Sequence, residues 1–177
     1  MKPDQLNLFK ETPRSIASEY RTFFTKSPPI LEVPYIDPLM KAVGIEDLSD
    51  YQLRRQYYSR HLGAMWERLV RHACGGGQHV YAGEDTRLEL ADVIMGEWAI
   101  ECKYRVGSGE PTFGRRLANK GIKLQERGYR PVLLVARSDS LPILSAIAAK
   151  GNWLLLQGAE SFRWIEEQTG VDVQDLV

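Results

Sequence analysis

The sequence predicts an α/β protein in which a mixed central sheet is flanked by helices. Three features carry that expectation. A long stretch from Ser49 to Cys74 has apolar residues at helical spacing and stops at Gly75-Gly76-Gly77. Short apolar runs at Leu90 to Met95, Trp98 to Tyr104, Pro131 to Ala136 and Trp153 to Leu156 have the length of strands. Helical segments alternate with the later runs, as layered α/β folds require.

The elements follow in order from local signals. Residues 1 to 46 carry Pro28-Pro29, Pro34 and Pro38, which interrupt any regular helix, so this segment is expected to be a proline-rich N-terminal arm. Within it Ile16, Tyr20, Phe23 and Phe24 recur at helical spacing and predict a short helix over 15 to 25. Ser49 suits the N-cap of the long helix. The triglycine lacks a following Gly-Lys-Ser/Thr and ends a helix, so it reads as a turn into a strand at His79 to Ala82 and not as a phosphate loop. Gly96-Glu97 is short enough for a hairpin turn between the next two strands. A glycine-rich loop spans Arg105 to Pro111, and a helix runs from Phe113 to Arg127 before Gly128. Helices over Leu141 to Lys150 and Glu160 to Gln168 complete the chain. At 177 residues it is expected to be one domain, with a core over 47 to 177.

The chemistry concentrates on the hairpin. Side chains alternate along a strand, so Glu101 and Lys103 share one face while Ile100, Cys102 and Tyr104 take the other. Pairing the two strands brings Asp92 toward them. A carboxylate inside an apolar run costs several kcal/mol unless a cation or a hydrogen-bond donor offsets it, and this holds for Asp92 and Glu101 alike. Two hard oxygen donors and a lysine suit magnesium, with the Cys102 carbonyl and waters completing the coordination. Lys103 as counter-ion to both carboxylates, in a salt-bridge cluster without catalysis, explains the same residues.

This arrangement resembles the signature of the PD-(D/E)xK nuclease superfamily, the fold of most type II restriction endonucleases. The resemblance runs from roughly Glu67 to Val135 and implies a restriction-endonuclease-like core. It implies that Asp92 and Glu101 bind a divalent cation, magnesium with manganese as a substitute, and that Lys103 assists the attacking water. It further implies a hydrolase leaving 5′-phosphates. Ala91 stands where the proline that names the family would be. Glu67 lies beside the apolar stripe Leu62, Trp66, Leu69 and Ala73 of the long helix, where relatives often place a glutamate near the metals; pairing with Arg71 at i+4 accounts for it equally well. Gln125 and Tyr129 are similar to a glutamine-to-tyrosine motif of recombination nucleases of that fold, but Gly128 intervenes. A structure-specific nuclease such as a Holliday-junction resolvase, or a noncleaving DNA-binding module, would share the fold.

Charge distribution bears on the partner. The chain has 23 basic and 23 acidic residues, yet seven basic residues (Arg105, Arg115, Arg116, Lys120, Lys123, Arg127 and Arg130) face two acidic ones between 105 and 130. The segment after the candidate site is therefore suited to phosphates, and Arg105, Arg115, Arg116, Lys120 and Lys123 are the expected contacts to double-stranded DNA. Cutting both strands needs a second site related by a two-fold axis, hence an expected homodimer, with the arm and the long helix as its contact surfaces. His61, His72, His79 and Cys74 lack the paired spacing of a structural zinc site. Neither a membrane span nor a secretory signal is legible, and two cysteines suit a reducing compartment, so a cytoplasmic protein of a prokaryote or phage is expected.

Overall fold

The structure, a computed structural model, describes residues 15, 18, 36–45, 51–76, 80–82, 85–106 and 111–174. The expected helix over 15 to 25 (save Ser15 and Ser18), the N-cap at Ser49, His79 and the center of the glycine-rich loop lie outside these residues. So do the arm's aromatic residues and the side chains of Tyr57 and Tyr58, offered as dimer contacts.

The described chain is an α/β assembly. Helices α1 (Pro38–Ala42) and α2 (Tyr51–Ala73) precede strands β1 (Val80–Ala82), β2 (Asp85–Ala91), β3 (Val93–Met95) and β4 (Trp98–Lys103). Then follow α3 (Pro111–Glu126), β5 (Arg130–Val135), α4 (Ile143–Lys150), β6 (Leu154–Gln157) and α5 (Ala159–Thr169). Strands β3-β4-β5-β6 form a mixed sheet: β3 runs antiparallel to β4, while β4, β5 and β6 are mutually parallel. The parallel pairs are joined through α3 and α4, because strands running the same way need a crossover. The expected hairpin forms with Met95 opposite Trp98. Gly96 has φ +57, and a positive φ at the first central residue is what a type II′ turn requires.

Side-chain alternation sorts the sheet into two faces. Ile100, Cys102, Tyr104, Val132, Leu134 and Ala136 pack with α1, α2 and α5, where Trp66 is fully buried and its indole donates to the Leu134 carbonyl at 3.2 Å. Ala99, Leu133 and Val135 face the other way, onto Leu117 and Leu124 of α3 and Leu144 and Ala148 of α4. Helix α3 sits close there. A Cβ added to Gly121 would lie 2.0 Å from the Gly151 carbonyl oxygen, and Trp153 Nε1 donates to the Leu117 carbonyl at 2.9 Å.

Two expectations require correction. The run Leu90 to Met95 is not one strand: the chain bends at Asp92, and β2 pairs with β1 in a separate two-stranded sheet. Strand β2 also begins at Asp85, where alternating polar residues hid it. The long helix runs over 23 residues, Tyr51–Ala73, as its spacing predicts. Pro38 does not interrupt a helix but starts one, since its missing N–H is no loss in a first turn, and Asp37 caps it by accepting from Met40 N–H at 3.0 Å.

Residues 36–45 fall within the segment expected as an arm, yet Leu39, Met40, Ala42, Val43 and Ile45 are all buried. Asp37 anchors them. Its carboxylate accepts from Arg137 at 2.8 Å and from the Tyr104 hydroxyl, and Arg137 also pairs with Asp139 at 2.7 Å. Asp37 and Arg137 are 1% and 0% exposed, so two charges are buried against each other here. Removing one partner of a buried pair leaves an uncompensated charge. Asp37→Ala is therefore expected to lose about 3–5 kcal/mol in urea denaturation. A loss below about 1 kcal/mol would show that Asp139 alone suffices for Arg137.

Candidate active site

The site forms at the bend at Asp92, where β2 gives way to β3. Asp92 N–H still donates to the Ile100 carbonyl at 2.9 Å, but beyond that point β3 no longer pairs with β4, and only the β5 edge of β4 stays covered. The Asp92 carboxylate substitutes for the missing strand, accepting from Cys102 N–H at 2.6 Å. That bond fixes the carboxylate on the edge of β4, next to Lys103.

Glu101 projects from the opposite face to Cys102, toward α3, as strand alternation predicts. It is only 3% exposed. Both of its oxygens are paired, Oε1 with Lys103 Nζ at 2.7 Å and Oε2 with Lys120 Nζ at 2.8 Å. Lys103 Nζ lies 3.9 Å from Asp92 Oδ2 and donates to the Cys102 carbonyl at 2.9 Å. Asp92, Glu101 and the Cys102 carbonyl thus converge on one ammonium group.

The two carboxyls titrate in opposite directions. Burial, then the neighboring Glu101 charge, pushes Asp92 up from 3.8 to about 6, only partly offset by Lys103 and the Cys102 N–H. Burial also acts to raise Glu101, but Lys103 and Lys120 outweigh it and hold that carboxyl below its ordinary value. For Lys103 burial disfavors the charge, and Glu101 and Asp92 together raise it nonetheless. Cys102 is buried, and burial first of all pushes its thiol well up, consistent with a small packing residue.

Glu67 stands on the other side of the sheet. It pairs with Arg71 at 2.7 Å, and Arg71 also donates to the Asp92 carbonyl at 3.1 Å. The helix α2 carboxylate is therefore linked to the bend at Asp92 through a guanidinium, and its charge is among those that raise the Asp92 carboxyl.

Above Glu101 and Lys103 opens a cavity of about 460 Å³, lined also by Glu89, Phe113, Arg116, Lys120 and Lys123. Phe113, Arg116, Lys120 and Lys123 recur at intervals of three and four, one stripe of α3. Arg115 is exposed but is not among the lining residues, and Arg105 pairs with Asp139 at 3.1 Å, beside Arg137. The basic segment thus divides: Arg116, Lys120 and Lys123 share the cavity, whereas Arg115 and Arg105 do not. Gln125 accepts from Asn152 at 2.8 Å on an exposed surface, away from the site.

One contact and one residue eluded sequence reasoning. The Lys120 contact to Glu101 was legible only by sorting the basic residues of α3 by helical face. Arg137 was signaled by its place directly after the apolar run Val132 to Ala136.

Among the described residues no three His, Cys, Asp or Glu side chains gather to hold an ion by themselves. The available donors are two carboxylates and one carbonyl. This set fits magnesium, a hard cation that uses one or two carboxylates and keeps several waters. No protein-family model, curated protein or solved structure matches the chain.

Asp92 has a stability consequence with a definite sign. Since its folded-state value is raised, its contribution is fully present below pH 3.8 and is lost as pH climbs through about 6. A rise of that size is worth about 3 kcal/mol. In EDTA, Asp92→Asn should therefore gain stability relative to wild type between pH 4 and pH 7, approaching that figure in urea titrations. A gap that stays constant with pH would place the Asp92 carboxyl at its ordinary value.

Proposed function

We propose that this chain is a magnesium-dependent endonuclease that hydrolyzes DNA phosphodiester bonds, acting as a homodimeric, sequence-specific type II restriction enzyme with a restriction-endonuclease-like core. The observation that carries the proposal is the convergence of Asp92, Glu101 and the Cys102 carbonyl on Lys103 Nζ beneath a basic helix face. No helix among the described residues is long and apolar enough to cross a membrane.

Phosphodiesters resist water because the attacking oxygen meets a shielded anion and the leaving alkoxide is poor. A magnesium ion held by Asp92 and Glu101 would neutralize that charge and make a water acidic enough to attack. Lys103, between the two carboxylates, orients the nucleophile and stabilizes charge developing on phosphorus. Arg116 and Lys123, exposed along the cavity, hold the flanking phosphates.

One observation favors a second reading, a structural ion cluster without catalysis: both Glu101 oxygens already face ammonium groups. The variants separate the two. With supercoiled plasmid and magnesium, wild type should give discrete fragments, and Asp92→Ala, Glu101→Ala and Lys103→Ala should each fall at least about a hundredfold while staying folded. Wild-type rates in either carboxylate variant would remove the metal site. Cleavage confined to branched junctions would instead indicate a resolvase.

The helix face gives a separate measurement. Neutralizing Arg116 and Lys123 together should reduce the slope of log affinity against log salt by about 1.8, or 0.9 per phosphate contact. Neutralizing Arg115 should leave the slope unchanged. Equal slopes for all three proteins would take α3 off the DNA.

A further inference from the structure

Lys120 is the anomaly of the site. It belongs to α3, not to the strands that carry the other site residues, yet its ammonium occupies Glu101 Oε2 at 2.8 Å. Its side chain is 21% exposed and borders the cavity beside Arg116 and Lys123. Lys103 holds the other oxygen, Oε1, and is tied down further by the Cys102 carbonyl. Lys103 and Lys120 both border the cavity, so a divalent ion entering from it meets an ammonium on each Glu101 oxygen, with Lys120 on Oε2. The two cations cannot share that oxygen without strong repulsion.

We propose that Lys120 is a built-in counter-ion for Glu101 that a divalent cation displaces, and that the released ammonium then engages a phosphate in the same cavity. This rests on the nuclease reading of the site and adds a coupling to it. While the ion is absent, Lys120 keeps a buried carboxylate neutralized. Once the ion arrives, the neutralization is redundant, and a flexible four-carbon stem lets the ammonium turn toward Arg116 and Lys123. Cation and phosphate consequently bind cooperatively, each raising the affinity for the other by the same factor. Lys120 is a positioning residue in this scheme, since it acts through Glu101 and the phosphate.

The test measures manganese binding by calorimetry on the full chain without DNA. Lys120→Gln should bind manganese about tenfold more tightly than wild type, an ordinary size for coupled sites. Lys120→Arg, which keeps the charge, should retain the weaker wild-type affinity and controls for packing changes in α3. With calcium as a divalent ion in place of magnesium, DNA affinity of wild type should rise on adding the ion, and that rise should shrink at least about threefold in Lys120→Gln. Glu101→Gln should abolish manganese binding in either background. Equal manganese affinity in wild type and Lys120→Gln, with Glu101 still required, would overturn the counter-ion and leave the metal site standing. Absence of manganese binding from wild type would overturn both together.

Discussion

A carboxylate buried on the face of a sheet governs this molecule. Glu101 is 3% exposed, and an ion so far from water costs several kcal/mol unless charge of the opposite sign is held against it. Two ammonium groups supply that charge, one from its own strand and one from α3. The position of α3 therefore matters as much as the motif on β4. Gly121 follows Lys120 and lets the helix approach the Gly151 backbone with no side chain between them. An electrostatic requirement of the site is thus met by a packing detail at the next residue of the helix.

The other carboxylate is placed by an interruption. The chain bends at Asp92 before the three-residue β3 begins, and Asp92 occupies the gap by bonding the edge of β4 left exposed there. An uninterrupted strand would have given Cys102 N–H a backbone partner and turned the carboxylate elsewhere. Irregularities at sheet margins commonly aim functional side chains. Arg71 braces this bend through the Asp92 carbonyl and thereby links Glu67 to it.

Element identity was largely legible in the sequence because strand and helix periods differ. The runs at Trp98, Pro131 and Trp153 and the helices between them stand within two residues of their expected ends, and the alternation of Glu101 and Lys103 against Cys102 follows directly. Asp85 to Glu89 were missed because polar residues dominate that strand. The break at Asp92 left no trace, since no glycine or proline marks it. Long-range charge pairing was illegible for a different reason: counting basic residues between 105 and 130 weighs Arg105, Arg115 and Lys120 alike, whereas the fold gives them separate tasks. Pro38 shows that a residue's meaning depends on its place in the helix, here the first turn.

The union of Asp37 with Arg137 joins residues 100 positions apart. A chain emerging from the ribosome at about 5–20 residues per second would wait on the order of 5–20 s between making the first partner and the second. For the first part of that interval Leu39, Met40 and Val43 have no sheet to cover, because β3 and β4 begin only at Val93 and Trp98. Completion of this side of the core is thus postponed until β5 has been synthesized. Contacts that close such long loops also slow refolding from the full-length unfolded chain. The first-made part of the described core is among the last to find its place.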